Sequence, residues 1–183
     1  MLSRLFLVIF LISFSFNHYA LAKNDEKNIP VAFIDRDIII SEALSVKSIR
    51  TQLDDKRTTL QKDFSEREEE LHKLEEELGK QKAILSSEAF EKKVADFKTK
   101  VSNLQQDISV KGSELENMYM NAMEIVYNKI KNISAKIAKE NNINLVLFLM
   151  KKNQVFYSID GTDISSEVLE RLNKELPNIE IKK

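Results

Sequence analysis

The stretch FEKKVADFKTKVSNLQQDI, Phe90 to Ile108, decides the architecture. Its large apolar residues are Phe90, Val94, Phe97, Val101, Leu104 and Ile108, at steps of 4, 3, 4, 3 and 4. Steps that alternate in this way put every one of those side chains on a single seam of a helix, the heptad pattern of a coiled coil. The residues between them are mostly charged or amide-bearing and make a solvated remainder. The run resumes at Leu115 and continues through Met118, Ala122, Val126, Ile130, Ile133 and Ile137. Lys111 stands where the next apolar residue is due, so the seam loosens at Lys111-Gly112. The pattern predicts one helix over Ser87–Glu140, about 80 Å long at about 1.5 Å per residue.

A second stripe lies upstream: Val46, Ile49, Leu53, Leu60, Phe64, Leu71, Leu74, Leu78 and Leu85. Dense charges such as Glu66-Arg67-Glu68-Glu69-Glu70 fill the gaps, and the spacing predicts a helix over Ser45–Ser86, about 60 Å long. Ser86-Ser87 breaks the pattern and offers an N-cap, with Glu88 in the next first turn. So short a connection folds two helices back on each other. A hairpin this long buries one stripe per helix and its tip stands clear of any globular body. Residues 45–140 are therefore an arm.

Both flanks change to β character. Ile29 to Ile34 (IPVAFI) reads as a short strand buried on both faces, with Pro30 at its start. Ile38-Ile39-Ile40 with Ala43-Leu44 suggests a short apolar helix. Beyond the arm, Asn144 to Leu149 is a buried strand, Lys151 to Gln154 a polar turn, and Val155 to Ile159 (VFYSI) the returning strand of a hairpin. Asp160-Gly161-Thr162 is a loop. Ser165 is a candidate N-cap, with Glu167 in the first turn of a last helix carrying Val168, Leu169, Leu172 and Leu176, stopped by Pro177.

The fold class that follows is mostly α with a small β body. A long antiparallel coiled-coil-like hairpin is inserted in a small α+β body made of residues 23–44 and 141–183. Three short strands and two short helices give a thin core, and apolar strands leave open edges. Oligomerisation through the β body answers both problems. Val31, Phe33, Ile34, Leu145, Leu147, Leu149 and Phe156 are the candidate oligomerisation residues.

The N-terminus addresses the compartment. Arg4 is a short positive region, Leu5 to Phe16 an apolar core, and Ala20-Leu21-Ala22 a signal-peptidase site, with cleavage expected after Ala22. The apolar core is about a dozen residues, against the roughly 20 that a membrane-spanning helix needs. Removing residues 1–22 takes away one charged residue, Arg4, so the net charge of −1 becomes −2. With neither sign dominant there is no basic patch for nucleic acid.

Composition narrows the chemistry. Cysteine is absent, which excludes disulfides, thiol catalysis and thiolate metal sites. Glycine and proline amount to Gly79, Gly112, Gly161, Pro30 and Pro177, too few to build active-site loops. His72 is the only histidine outside the leader, so neither a catalytic triad nor a zinc site with Glu68 can be completed. Gly79-Lys80 lacks the earlier glycine of a phosphate loop, where Leu74 stands. Asn132-Ile133-Ser134 meets the glycosylation sequon, but Ile133 belongs to the apolar stripe. No cofactor, metal or catalytic residue is expected, and the protein reads as a non-enzyme.

The order of segments resembles the Skp (OmpH-like) family of periplasmic chaperones across the chain after the leader. The residues that carry the resemblance are Val31-Ala32-Phe33-Ile34-Asp35, Leu145-Val146-Leu147, Val155-Phe156-Tyr157, and Asp163-Ile164-Ser165 ahead of Val168-Leu169. The family usually has Asp-Ile-Thr at the fourth of these motifs, where Ser165 keeps the capping chemistry. The resemblance implies a homotrimer joined through its β strands. It also implies three helical arms enclosing a cavity for unfolded outer-membrane proteins, held without ATP in the periplasm. The best-known members are strongly basic and this chain is slightly acidic, so lipopolysaccharide or membrane-surface binding does not carry over with it. Met118, Tyr119 and Met123 are candidate client contacts, because methionine adapts to irregular surfaces; the alternative, which the heptad register favours, is that they simply pack the hairpin. The rival reading is a secreted coiled-coil scaffold or spacer of the cell envelope, which would need only continuous heptads.

Overall fold

The computed structural model describes residues 30–151 and 154–182. The leader expected over residues 1–22, with its cleavage site after Ala22, lies outside the described residues. Strand β1 (Val31–Asp35) runs directly into helix α1 (Arg36–Glu42). Asp35 caps α1 by accepting a hydrogen bond from the Asp37 amide at 2.8 Å. Ala43 separates α1 from α2 (Leu44–Gln81), whose N-terminus has no cap of its own. Asn173 supplies one from the far end of the chain, its Oδ1 accepting from Leu44 N at 2.8 Å.

The arm forms as its periodicity predicts. Helix α2 packs on α3 (Ser87–Glu140), and the chain reverses through Lys82–Leu85, where Ile84 N and Leu85 N both donate to Gln81 O at 3.0 Å. The turn is thus a little longer than the Ser-Ser pair, and Leu85 belongs to it rather than to the stripe. Ser86 is the N-cap of α3, accepting from Ala89 N. Near Lys111-Gly112 the helix runs on unbroken, with Lys111 half-buried and 3.0 Å from Glu114. Ile108, expected on the seam, is exposed. Farther out, Arg67 Nη2 reaches Asp107 Oδ2 at 2.8 Å and ties the two helices together.

Asn142, at φ 53, ends α3 in the left-handed region, and Ile143 N returns to Ala138 O at 2.8 Å. Strand β2 (Leu145–Leu149) then pairs with β1 in parallel, Val31 opposite Leu145 and Asp35 opposite Leu149. The whole arm is the crossover between two neighbouring parallel strands. The last helix, α4 (Ser165–Glu175), stops two residues before Pro177.

Two expectations about this region are corrected. Val155–Ile159 is not a strand. The free edge of β1 is taken instead by Thr162–Ile164: Phe33 N donates to Thr162 O at 2.9 Å and Ile164 N to Phe33 O at 3.0 Å. Gln154 Oε1 accepts from Met150 N and Lys151 N, which closes a local loop in place of a hairpin turn. Ser165 is not the N-cap of α4 but its first residue. Asp163 Oδ1 accepts from Ser165 N at 2.8 Å, while the Ser165 hydroxyl accepts from Asp35 N at 2.7 Å and so joins α4 to the end of β1.

The core sits where the base of the arm meets these pieces. Ile34, Ile39, Val46, Ile49, Val126, Ile133, Ile137, Val168 and Leu172 are fully buried there. Each such side chain removed from water contributes about 1.5–3 kcal/mol. Of the sequon, Ile133 and Ser134 are buried in this core, with Ser134 Oγ donating to Ile130 O at 2.7 Å, while Asn132 is exposed. Toward the tip the seam residues Leu60, Phe64, Leu71, Leu74, Phe97 and Val101 are only half-buried.

Candidate functional site

The alternation of a strand gives the two-stranded sheet two unlike faces. Ala32 and Ile34 from β1, with Val146 and Phe148 from β2, point toward α3. Phe148 meets Tyr127 edge to face, ring centroids 5.9 Å apart. A groove of about 390 Å³ opens between them, lined by Ile34, Tyr127, Ile130, Ser134, Val146 and Phe148.

The opposite face carries Val31, Phe33, Leu145, Leu147 and Leu149, set side by side by the parallel register. Val31 is 40% exposed, Leu145 47% and Leu147 44%. The neighbouring loop adds Phe156, 98% exposed, together with Tyr157 and Ile159. Scattered exposed apolar residues are ordinary, but here they stand side by side on one sheet face, and contiguous exposed apolar patches are characteristic of interaction surfaces. Among the described residues nothing pairs with the outer edge of β2, so this face also borders an open ladder.

Of the seven residues expected at an oligomer interface, the fold therefore gathers Val31, Phe33, Leu145, Leu147 and Leu149 on one face, with Phe156 on the loop. Ile34 is on the other side, buried in the protomer's own core. Strand alternation carries that distinction, because Ile34 is one residue out of step with Val31 and Phe33.

The three residues expected to touch clients are not brought together. Met118 and Met123 are buried where α3 enters the core, and only Tyr119 is on the surface. Tyr119 lines a shallow groove with Arg50, Leu53, Arg57, Leu115 and Glu116 between α2 and α3. Besides Tyr119 and the seam residue Ile108, the exposed apolar residues of this part of the arm are Val110, Met120 and Ile125. Val110, Met120 and Ile125 are legible as apolar residues that fall off the heptad seam. His72 pairs along its own helix, with Nδ1 3.5 Å from Glu76, on the solvated outer surface of α2.

Charge holds α4 against the base of the arm. Arg171 Nη1 donates to Glu140 Oε1 at 3.0 Å, and this hydrogen bond holds the Glu140 carboxyl below the usual carboxylate range. Lys129 Nζ lies 2.7 Å from Glu175 Oε2, with Lys136 at 3.4 Å, and the Lys129 hydrogen bond likewise lowers the Glu175 carboxyl. Arg36 Nε donates to Tyr127 Oη at 3.4 Å, and that bond raises the already high pKa of the guanidinium. These pairs join α4 and α1 to the base of the arm.

Comparison with known proteins places the chain. The sequence profile of the OmpH-like outer membrane proteins matches residues 30–172, which run from the start of β1 to within α4. No curated protein sequence matches. Among solved structures, the crystal structure of a candidate outer membrane chaperone (OmpH-like) from Caulobacter crescentus CB15 has a similar fold. Its TM-score is 0.75 at 15% identity, over 84% of this chain and 90% of that one.

Proposed function

The chain belongs to the OmpH-like family of outer membrane proteins, and from that premise we propose that it is an ATP-independent periplasmic holdase for unfolded outer-membrane β-barrel proteins. In this reading the leader, residues 1–22, is removed after Ala22. The body, residues 23–44 and 141–183, assembles as a homotrimer. The arms, residues 45–140, surround the client. The single observation that carries the reading is the pairing of an uncovered apolar sheet face with an arm far longer than the core needs.

The sheet face of Val31, Phe33, Leu145, Leu147 and Leu149, with Phe156, is the trimer contact. Covering it removes both the apolar surface and the open edge of β2 from water. The arms then project from one joint body. An unfolded barrel protein exposes alternating apolar side chains and aggregates through strand edges. A helical wall has all its backbone groups paired internally and gives such a client no edge to extend. Tyr119 and other exposed apolar residues between charges supply weak, numerous contacts, so affinity comes from multivalency and release needs only a better acceptor. Caulobacter's protein of similar fold is a candidate outer membrane chaperone, which agrees with this role.

The test keeps the core and removes the reach. Excising Glu68–Gln106 and closing the cut with a short loop leaves every residue of the body core in place. The shortened protein should remain a trimer but fail to keep a urea-diluted barrel protein in solution. Full aggregation suppression by that trimer would overturn the proposal.

A further inference from the structure

Beyond Pro177 the chain runs on through Asn178–Lys182 along the base of α2. Ile179 and Ile181 are buried, while Glu180 and Lys182 between and after them are exposed, the alternation of a strand with one face covered. Among the described residues no strand lies beside this tail. Instead the side-chain amide of Gln52 brackets it: Gln52 Nε2 donates to Ile179 O at 2.6 Å, and Ile181 N donates to Gln52 Oε1 at 3.2 Å. One donor to residue i and one acceptor from residue i+2 is how a single residue of a parallel ladder bonds its neighbour. Gln52 thus replaces a ladder residue opposite Glu180. Its amide is oriented by a third bond, Nε2 to Ser48 Oγ at 3.0 Å.

Nothing in these contacts is peculiar to the tail. The amide reads main-chain groups that any extended segment presents, and the core accepts two aliphatic side chains two residues apart. The tail also lies outside the family-matched residues, which end at Leu172. It follows the helix break at Pro177 on a short tether.

We propose that the groove at the base of α2, centred on Gln52, is a binding site for an extended segment with aliphatic residues at alternate positions, and that the chain's own tail is its tethered resident competitor. Membrane β-strands have this alternation, so a strand of an unfolded barrel protein is the partner the chemistry fits. That identification of the partner rests on the holdase reading; the existence of the site does not. A short tether holds the tail at an effective concentration on the order of 1 mM, so an incoming strand displaces it only when already held nearby.

The experiment uses a labelled heptapeptide with the sequence of residues 177–183, a second with alternating isoleucine and threonine, and a scrambled control with its two isoleucines adjacent. Fluorescence anisotropy measures their binding to the unaltered protein and to the Ile179→Ser/Ile181→Ser double variant, whose tail no longer fills the groove. The released variant should bind both alternating peptides about tenfold or more tighter than the unaltered protein does. Adding Gln52→Ala should weaken that binding about tenfold, through loss of two hydrogen bonds to the main chain. Absence of binding to the released variant, or equal binding of the scrambled control, would overturn the site.

If the double variant loses its helical circular dichroism, hydrogen exchange on the unaltered protein decides. Excess alternating peptide should accelerate exchange at the Ile181 amide, and an unchanged rate would overturn the proposal. Aggregation suppression of a barrel protein, measured alongside, separates the two readings, since a holdase without this groove still suppresses.

Discussion

Replacing Leu147 with aspartate tests whether the outer face of the sheet is a contact between protomers. Leu147 sits at the centre of the parallel register, opposite Phe33 and two residues from Leu145 and Leu149. In the isolated protomer it is 44% exposed, as Leu145 is 47% and Val31 40%. Fully burying such a side chain is worth about 1.5–3 kcal/mol, so covering what remains exposed yields about 1 kcal/mol for each, and about 3 kcal/mol for the trio. Phe156, at 98% exposed, adds about 2 kcal/mol more if it is covered too. A carboxylate at Leu147 reverses this. It loses the apolar gain and must be desolvated without a partner, at a cost of several kcal/mol, enough to weaken assembly more than about a hundredfold.

In a protomer that never assembles, the same substitution lies at a half-exposed strand position and should cost about 1–2 kcal/mol, from the lost part of the burial and the poor strand propensity of aspartate, and leave the protomer folded. The assay is light-scattering mass at micromolar concentration, with helical content followed by circular dichroism. The expected result is a drop from trimer to monomer mass with the helical signal at low temperature preserved. An L147D protein with the mass of the unaltered trimer refutes the reasoning, and so does an unaltered protein that is already monomeric.

Three further outcomes are expected. Ile133→Ala, deep in the core, should cost about 3 kcal/mol in urea unfolding, whereas Ile84→Ala in the exposed arm turn should cost no more than about 0.5 kcal/mol; equal costs would show that the arm turn and core are not distinguished as described. Asn173→Ala removes the long-range cap on α2 and should destabilise by about 1 kcal/mol, raising amide exchange at Leu44 above all; unchanged exchange there would remove Asn173 from that role. The third concerns acid. Glu140 and Glu175 have lowered pKa values when folded, so their hold on α4 is complete above the unfolded glutamate pKa of about 4.3 and is lost as the pH falls through the lower folded values. An acid titration of α4 contacts by NMR should therefore show α4 loosening below about pH 4. Glu175→Gln should lose part of that acid dependence, and an unchanged titration would count against the Lys129 and Lys136 pairing.

The elements that were legible in the sequence are those whose cause is local. Val94, Phe97, Val101 and Leu104 repeat within one turn or two, so the seam of α3 can be read without knowing its partner. Ser86 caps a helix three residues away, and Pro177 closes off α4 by its own ring. The face of Val31, Phe33, Leu145 and Leu147 was nearly legible, and only strand alternation separates Ile34 from it.

The misreadings have the opposite cause. Val155–Ile159 has the composition of a strand, but Met150 N and Lys151 N bond the Gln154 side chain in place of a hairpin turn onto β2, and it is Thr162–Ile164 that reaches the sheet, on the β1 side. Met118 and Met123 look like adaptable contacts until the core at the base of the arm buries them. Ser165 looked like a cap, but Asp163 is close enough to take the backbone donor, which leaves the hydroxyl for Asp35.

What the sequence determined by itself is the long hairpin and the short apolar segments flanking it, because periodicity, capping and helix breaking act over a few residues. What only the tertiary structure decided is how the distant pieces close on the base of the arm: the parallel pairing of β1 with β2, the cap from Asn173 to Leu44, and the seating of Ile179 and Ile181 against Gln52. Those contacts join residues more than a hundred positions apart, and no local pattern encodes them. They form because the arm, once folded, brings both ends of the chain to the same place and leaves unpaired backbone groups there that must find partners.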